Sequence, residues 1–332
     1  MPSENFTALI VDETAPKQFS RRIGQRRVAD LPPGEVLIKV AWSSLNYKDA
    51  LSATGNPGVT KQFPHTPGID AAGTVADSSD SHFVPGQQVL VTGYDLGMNT
   101  SGGFGQYIRV PAAWVVPLPA GLTLRESMVL GTAGFTAALS VQKLIAQGVT
   151  PQQGDILVTG ASGGVGSVAV ALLAKAGYRV VASSGKQQQA AMLQELGASE
   201  VIARADLLQG AERPLLKERW AGAIDVVGGA TLAAVLKSTR YGGTVTCCGL
   251  VGSADLPVNV FPFILRGVSL LGIDSVQCPM APRLAIWQKL AGEWRLDNLA
   301  SASHELGLDD LEEALQRMLR GESQGRTVVR LD

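Results

Sequence analysis

Residues 155–166 read DILVTGASGGVG. The apolar run Ile156–Val158 has the pattern of a strand buried on both faces. The turn Gly160-Ala161-Ser162-Gly163-Gly164-Val165-Gly166 follows, and then Val168–Ala176, rich in Ala, Leu and Val and free of Gly and Pro. Strand, glycine-rich turn and helix together are the context in which such a turn holds a dinucleotide. Glycine has no Cβ to keep backbone N–H groups from a pyrophosphate, and a helix N-terminus adds partial positive charge. On this reading Gly164, Val165, Gly166 and Ser167 meet the pyrophosphate. The bland alternative is a tight strand–helix connection that binds nothing.

The next strand sharpens the reading. Tyr178–Ala182 is apolar apart from Arg179 and ends at Ser183-Ser184-Gly185-Lys186. An NAD site places an acidic residue here, about 20 residues beyond the first glycine, on the ribose 2′-hydroxyl. No Asp or Glu lies between Asp155 and Glu195. Hydroxyls and a lysine suit a 2′-phosphate, so Ser184 and Lys186, with Arg204 after the apolar pair Val201-Ile202, point to NADPH. Lys186 could also be only a solvated helix start.

The chain of 332 residues suggests about two domains. Hydrophobic residues make up 45% and charged residues 17%, with 38 Gly, which fits an α/β enzyme rather than a disordered or fibrous chain. A net charge of −1 advertises neither nucleic acid nor an anionic membrane surface as a partner. The apolar runs read as short and interrupted, so no membrane span is expected. The beginning, MPSENFTALIVDE, has no basic stretch followed by an apolar one, so a cytoplasmic location is expected. The three Cys (247, 248 and 278) and three His (65, 82 and 304) show neither a disulfide framework nor zinc-ligand spacing.

Taken in order, the first ~120 residues read as short strands separated by Gly/Pro turns: 6–12, 35–42 and 87–92, a small-residue strand with Pro-rich turns within 63–76, and a loop then strand over 102–110, which suggests an irregular β-barrel. Thr123-Leu124-Arg125-Glu126 is a capping box ahead of a helix reaching Gln147, with a break or close packing expected at Gly131 and Gly134. Strands and helices then alternate: strands at 155–160, 178–183, 201–202, 223–227, 244–248 and 268–273, helices at 165–177, 186–196 and 231–239. This gives a parallel sheet with right-handed crossovers. Helices at 282–292 and 308–320 follow, and the tail 325–331 is a strand expected to return to the first domain. The expected domains are 1–125, completed by 296–332, and 126–295.

The segments SSLNYKDAL (43–51), PGIDAAGTV (67–75), GTAGFTAAL (131–139), VTGASGGVGSVAVALL (158–173), LGASEVI (196–202), WAGAIDVVGG (220–229) and PFILRGVSLLGIDSV (262–276) together resemble the medium-chain dehydrogenase/reductase superfamily. They are most similar to its zinc-free, quinone-oxidoreductase-like branch, which contains NADPH-dependent acryloyl-CoA reductases. The resemblance covers nearly the whole chain. It implies a GroES-like irregular β-barrel catalytic domain beside a Rossmann doubly wound parallel sheet. Where zinc-containing relatives carry a first Cys and a Gly-His-Glu run, this chain has the Asn46 region and Gly68-Ile69-Asp70, so no catalytic metal is expected.

The resemblance places the loop Asn46-Tyr47-Lys48-Asp49 beside the nicotinamide. Asn46 would orient cofactor or substrate, Tyr47 would contact the nicotinamide or donate to substrate, and Asp49 would fix Tyr47 or Lys48. The competing reading has Asn46 cap a helix that starts near Tyr47 and leaves Asp49 solvated. By resemblance, Leu250, Ile264 and Ser275 line the nicotinamide half and Arg326 closes over the cofactor. For Leu250 and Ile264 plain core packing is the competing reading, and for Arg326 an exposed charge on an edge strand.

The implied chemistry is hydride transfer to the β-carbon of an enone or α,β-unsaturated thioester, with hydrogen-bond donors at the carbonyl oxygen. Three functions compete: an acryloyl-CoA reductase, a quinone reductase, and a protein that holds NADPH without turnover. The first asks for a basic rim, for which Lys48, Lys61 and Arg266 are candidates. The hydrophobic sixth strand, at a sheet edge, suggests a homodimer.

Overall fold

The first strand is longer than its apolar stretch: β1 runs Asn5–Ala15 and turns into β2, Gln18–Arg27. The sequence of β2, QFSRRIGQRR, carries no apolar alternation and none was expected to pair. It is held by its antiparallel register with β1, Leu9 opposite Ile23, rather than by burial. The computed structural model describes residues 4–297 and 303–331. The strands β3 (Val36–Ser44), β4 (Asp70–Ser78), β5 (Gln88–Thr92), β6 (Tyr107–Val110) and β7 (Val116–Pro117) follow, with the short helix α1 (Tyr47–Ala53) between β3 and β4. β3 pairs antiparallel with both β4 and β6, β4 with β5, and β5 with β7. Alternating apolar residues, among them Val36, Ile38, Val40, Val89, Val91 and Ile108, close the core of this unit.

The expected capping box starts α2 (Leu124–Ala146): Thr123 N–H donates to Glu126 Oε2 at 2.8 Å, and Glu126 N–H to Thr123 Oγ1 at 3.1 Å. The expected break is at Gly131, with φ 52° and ψ −156°. By length and composition α2 could cross a membrane, which the sequence reading did not register, yet 72% of its most apolar window is buried inside the chain.

From here the chain builds a second unit: β8 (Ile156–Val158), α3 (Gly164–Lys175), β9 (Val180–Ser184), α4 (Ala190–Glu195), β10 (Glu200–Ala203), α5 (Arg204–Leu207), β11 (Trp220–Asp225), α6 (Gly229–Ser238), β12 (Thr239–Cys247), α7 (Phe261–Arg266) and β13 (Ser269–Gly272). The six strands lie parallel in the order β10-β9-β8-β11-β12-β13. Counted within the unit this is 3-2-1-4-5-6, and the order reverses between β8 and β11, where doubly wound sheets bind their ligands. Leu157, Val181, Ala223, Val235 and Val245 pack its interior. β13 forms one edge.

The last elements are α8 (Met280–Ala291), β14 (Ser303–Leu306), α9 (Leu311–Leu319) and β15 (Arg326–Arg330). β15 pairs antiparallel with β3, so the tail does return to the first unit. The chain divides between Thr132 and Ala133, seven residues beyond the expected boundary, and Val276–Gly292 belongs with the first unit. Arg283 on α8 gives the reason. It is fully buried, its Nη1 donates to Thr92 O at 2.8 Å, and its guanidinium lies 4.4 Å from the ring centroid of Tyr94. Residues 298–302 and 332 of the expected 296–332 segment lie outside the described residues.

Candidate functional site

The candidate residues fall into two sets, one in each unit. In the first unit they gather around Asp70, a fully buried carboxylate at the start of β4. Its Oδ2 accepts from Ser44 Oγ (2.5 Å), Asn46 Nδ2 (2.8 Å) and Thr132 N–H (2.9 Å), and its Oδ1 from Thr132 Oγ1 (2.6 Å). Four donors from three segments therefore satisfy the oxygens of a carboxyl group that could not otherwise be buried.

Asn46 precedes α1, and its carboxamide is held from both ends. Nδ2 donates to Asp70, while Oδ1 accepts from Arg326 Nη1 at 3.2 Å. Asn46 is thus the N-cap of α1, as the competing reading has it, and its carboxamide has a fixed orientation. Tyr47 is the first residue of α1 and 44% exposed. Asp49 holds neither Tyr47 nor Lys48. It is buried, and its carboxylate accepts from Asn46 N–H (2.7 Å) and Ile69 N–H (2.8 Å), tying α1 to the backbone leading into β4. Burial, and then the neighbouring Asp70, push its pKa up to about 7 against the pull of those N–H groups.

Arg326 departs most from expectation. It is 2% exposed, and its N–H groups are committed within the unit. Nε donates to Val129 O (2.8 Å), Nη1 to Asn46 Oδ1 and Leu45 O (3.5 Å), and Nη2 to Ser44 Oγ (2.8 Å) and Met128 O (3.5 Å). Its side chain is taken up in locking Asn46 and Ser44 and, buried as it is, has little surface left to meet a cofactor. Burial draws its pKa down, and Asp70 and Asp49 oppose that.

In the second unit the turn after β8 has the expected form. Gly160 has φ 57°, and a Cβ on Gly166 would stand 2.4 Å from Gly160 O, so only glycine lets α3 approach the turn. Gly164, Val165 and Gly166 are the first three residues of α3, whose N–H groups have no acceptor inside the helix. Ser167 differs. It is 1% exposed, its N–H donates to Gly163 O (2.9 Å) and its Oγ to Gly164 O (3.2 Å), so both groups already serve to secure the turn.

At the end of β9, Ser184 Oγ bonds to Ser162 Oγ (3.1 Å) and accepts from Lys186 N–H (3.0 Å). A Cβ on Gly185 would lie 3.3 Å from Arg204 Nη2, so the guanidinium stands directly over this turn. Ser184, Lys186 and Arg204 are thereby brought together, with Ser162 as a fourth member. Leu250 and Ile264 are 66% and 68% exposed, so neither is core. Ser275 is buried and accepts from Thr136 Oγ1 at 2.8 Å. Arg266 is no rim charge: it donates to Leu216 O (2.7 Å) and Lys237 O (2.8 Å) and faces Glu218.

Sequence reasoning missed Ser44, Asp70 and Thr132 as site residues. One signal was present, a carboxylate inside the small, apolar stretch Ile69-Asp70-Ala71-Ala72, where an unpaired charge would be untenable. Cys247 and Cys248 are half-buried free thiols, and burial pushes Cys248 up to about 12, leaving it a poor nucleophile.

Two family models match the chain: the alcohol dehydrogenase GroES-like domain over residues 32–120 and the zinc-binding dehydrogenase over residues 164–288. Acrylyl-CoA reductase AcuI of Ruegeria pomeroyi is 46% identical, covering 98% of both chains. The Bacillus subtilis protein YhfP, provisionally named a quinone oxidoreductase, is 49% identical over 98% of this chain and 99% of its own. Its crystal structure with NAD bound matches with a TM-score of 0.96 at 47% identity, over 99% of this chain and 100% of that one. The yhdH oxidoreductase of Salmonella enterica, crystallised with NADP, matches with a TM-score of 0.95 at 46% identity, over 98% and 100%.

Proposed function

The chain belongs to the medium-chain dehydrogenase/reductase superfamily, and from that premise we propose that it is an NADPH-dependent reductase of the carbon–carbon double bond of acryloyl-CoA, or of a similar α,β-unsaturated thioester, yielding the saturated thioester. The observation that carries the choice of cofactor is the turn after β9: two hydroxyls, a lysine and an arginine with no carboxylate among them. The similarity to the Ruegeria pomeroyi reductase supports the choice of substrate.

The residues fit NADPH. The N-terminus of α3 would hold the pyrophosphate, Ser184, Lys186 and Arg204 the 2′-phosphate, and exposed Leu250 and Ile264 the nicotinamide half. When bound, the cofactor supplies the hydride for the β-carbon. The chain itself supplies orientation and polarity. Asp70 and Arg326 fix the Asn46 carboxamide, and Asn46 with Asp49 fixes the start of α1. The exposed Tyr47 hydroxyl is the donor offered to the thioester oxygen as charge develops there. A proton from solvent completes the α-carbon.

A catalytic zinc, implied by the name of one family model, does not fit. Among the described residues no three His, Cys, Asp or Glu side chains gather as a ligand set, and the Asp70 carboxylate is already taken up by four donors. No step is routed through a metal.

Oxidation of NADPH by the purified protein, followed by absorbance with acryloyl-CoA and repeated with NADH and with a simple quinone, tests the proposal. Turnover of the thioester with NADPH, and little otherwise, supports it. Faster turnover of the quinone supports the second reading, for which the 49% identity to YhfP speaks. The expected homodimer, paired across the open edge of β13, is a further part of the proposal, and light scattering at micromolar concentration tests it.

A further inference from the structure

Four arginines stand on β2, and three of them meet carboxylates. Arg21 makes a two-pronged pair with Glu312 (2.6 and 2.8 Å), Arg22 meets Asp12 at 3.1 Å, and Arg27 meets Asp30 at 2.7 Å. Arg26, half-buried, faces no carboxylate within ion-pair distance among the described residues. The nearest one it senses, Asp30, is already paired with Arg27. Instead, Arg26 Nη1 donates to Thr66 Oγ1 (3.0 Å) and Ser101 Oγ (2.9 Å), both buried. The adjacent His65 adds no charge: burial takes its pKa down to about 4, and its Nε2–H is spent on Gly97 O at 2.9 Å.

A partly buried guanidinium without a counter-charge is costly. Among the described residues only Asp30, already paired with Arg27, acts on this charge. Both hydroxyl oxygens accept from Arg26, so each keeps its own proton to give, and Arg26 keeps its Nε–H and Nη2–H. The cluster therefore gathers donors around one positive charge. A planar fork of N–H groups flanked by two O–H groups matches the oxygens of a phosphate.

The cluster is also tied to the reacting end. Thr66 begins the backbone strap that ends at Asp70, and Ser101 lies in the loop whose Gly102 and Gly103 N–H groups bond to Thr66 O (2.7 Å) and Gly68 O (2.8 Å). Four residues of chain span at most about 15 Å, a distance that a pantetheine arm covers. We propose that Arg26, Thr66 and Ser101 form a subsite for a phosphate group of the coenzyme A arm of the substrate. This rests on the enoyl-thioester reading above.

The test is calorimetric titration of the full chain, saturated with NADP⁺ so that the sites for the cofactor's own phosphates are filled. The probes are coenzyme A, pantetheine and inorganic pyrophosphate. Arg26→Gln should weaken coenzyme A about tenfold or more and leave pantetheine unchanged. In turnover, KM for acryloyl-CoA should rise by the same factor, with kcat and the constants for the acryloyl thioester of N-acetylcysteamine unmoved. Should Arg26→Gln not fold, the pair Thr66→Val and Ser101→Ala removes the hydroxyls and keeps the cation, and the same loss for coenzyme A alone is expected. Equal affinity of variant and native protein for coenzyme A would overturn the proposal. So would pyrophosphate binding that depends on Arg26 without binding of coenzyme A. Coenzyme A binding that depends on Arg26, in a protein that does not reduce acryloyl-CoA, would keep the subsite and sink the reaction.

Discussion

A Cβ placed on Gly131 would stand 2.5 Å from Asp70 Oδ2 and 2.6 Å from Ser44 Oγ. The break in α2 is therefore a fitting of backbone to a buried carboxylate, and the positive φ of 52° is what presents the next N–H, that of Thr132, to the same oxygen. Gly131→Ala should lower stability by about 2–4 kcal/mol, combining strain at positive φ with overpacking. Urea denaturation measures this. An unchanged midpoint would mean that the cluster yields at little cost.

The Ser44 hydroxyl connects Asp70 with Arg326, accepting from Nη2 at 2.8 Å and donating to Oδ2 at 2.5 Å. Two buried opposite charges share one bridge, so removing either leaves the other uncompensated. Asp70→Asn and Arg326→Met should each cost about 3–5 kcal/mol, and the double variant clearly less than their sum. The amide introduced by Asp70→Asn would also set N–H groups against donors. A double-variant cycle of denaturation midpoints checks the coupling, and strict additivity would show the two charges to be independent.

How much of this could be read beforehand depended on whether the signal was local. The turn 160–166, the capping box at Thr123 and the break at Gly131 are set by neighbours in sequence, and the structure has each of them. The unit boundary and the partners of Asp70 are not local. Ser44 and Thr132 reach that carboxylate from 26 and 62 residues away, Arg326 reaches the bridging Ser44 from 282, and no periodicity connects them. Arg326 illustrates the limit. An arginine ahead of an apolar strand looks exposed, and only tertiary pairing of β15 with β3 turns it inward. β2 failed for the opposite reason, since its strand exists through register and not through burial.

The turn after β9 carries the choice between the two nicotinamide cofactors, and it can be broken without touching the pyrophosphate end. Lys186→Ala and Arg204→Ala should each raise Kd for NADPH about tenfold by removing a charge-assisted contact to the 2′-phosphate, leaving NADH within about twofold. Fluorescence titration of the reduced cofactors measures both. Equal loss for NADPH and NADH would place these side chains on the adenine or the pyrophosphate instead.

His65 and Asp49 should oppose each other in the pH dependence of stability. Burial lowers the His65 pKa from 6.5 to about 4, so the folded chain binds fewer protons there than the unfolded one. That contribution is complete above about pH 6.5 and is lost as pH falls through about 4. Asp49 is raised from 3.8 to about 7, so its contribution is complete below about pH 4 and is lost as pH rises through about 7. Over the same window the two slopes largely cancel in the native protein. His65→Gln, which keeps a donor for Gly97 O, should unmask the Asp49 slope, with stability falling by about 2–4 kcal/mol from pH 4 to pH 7. Asp49→Asn should unmask the other, with stability rising by about 2–3 kcal/mol from pH 4 to pH 6.5, on top of a pH-independent loss from setting an amide N–H against the backbone of Asn46 or Ile69. Denaturation midpoints of the three proteins across that range decide it. Parallel pH curves would mean that neither group keeps its shifted ionisation in the folded chain.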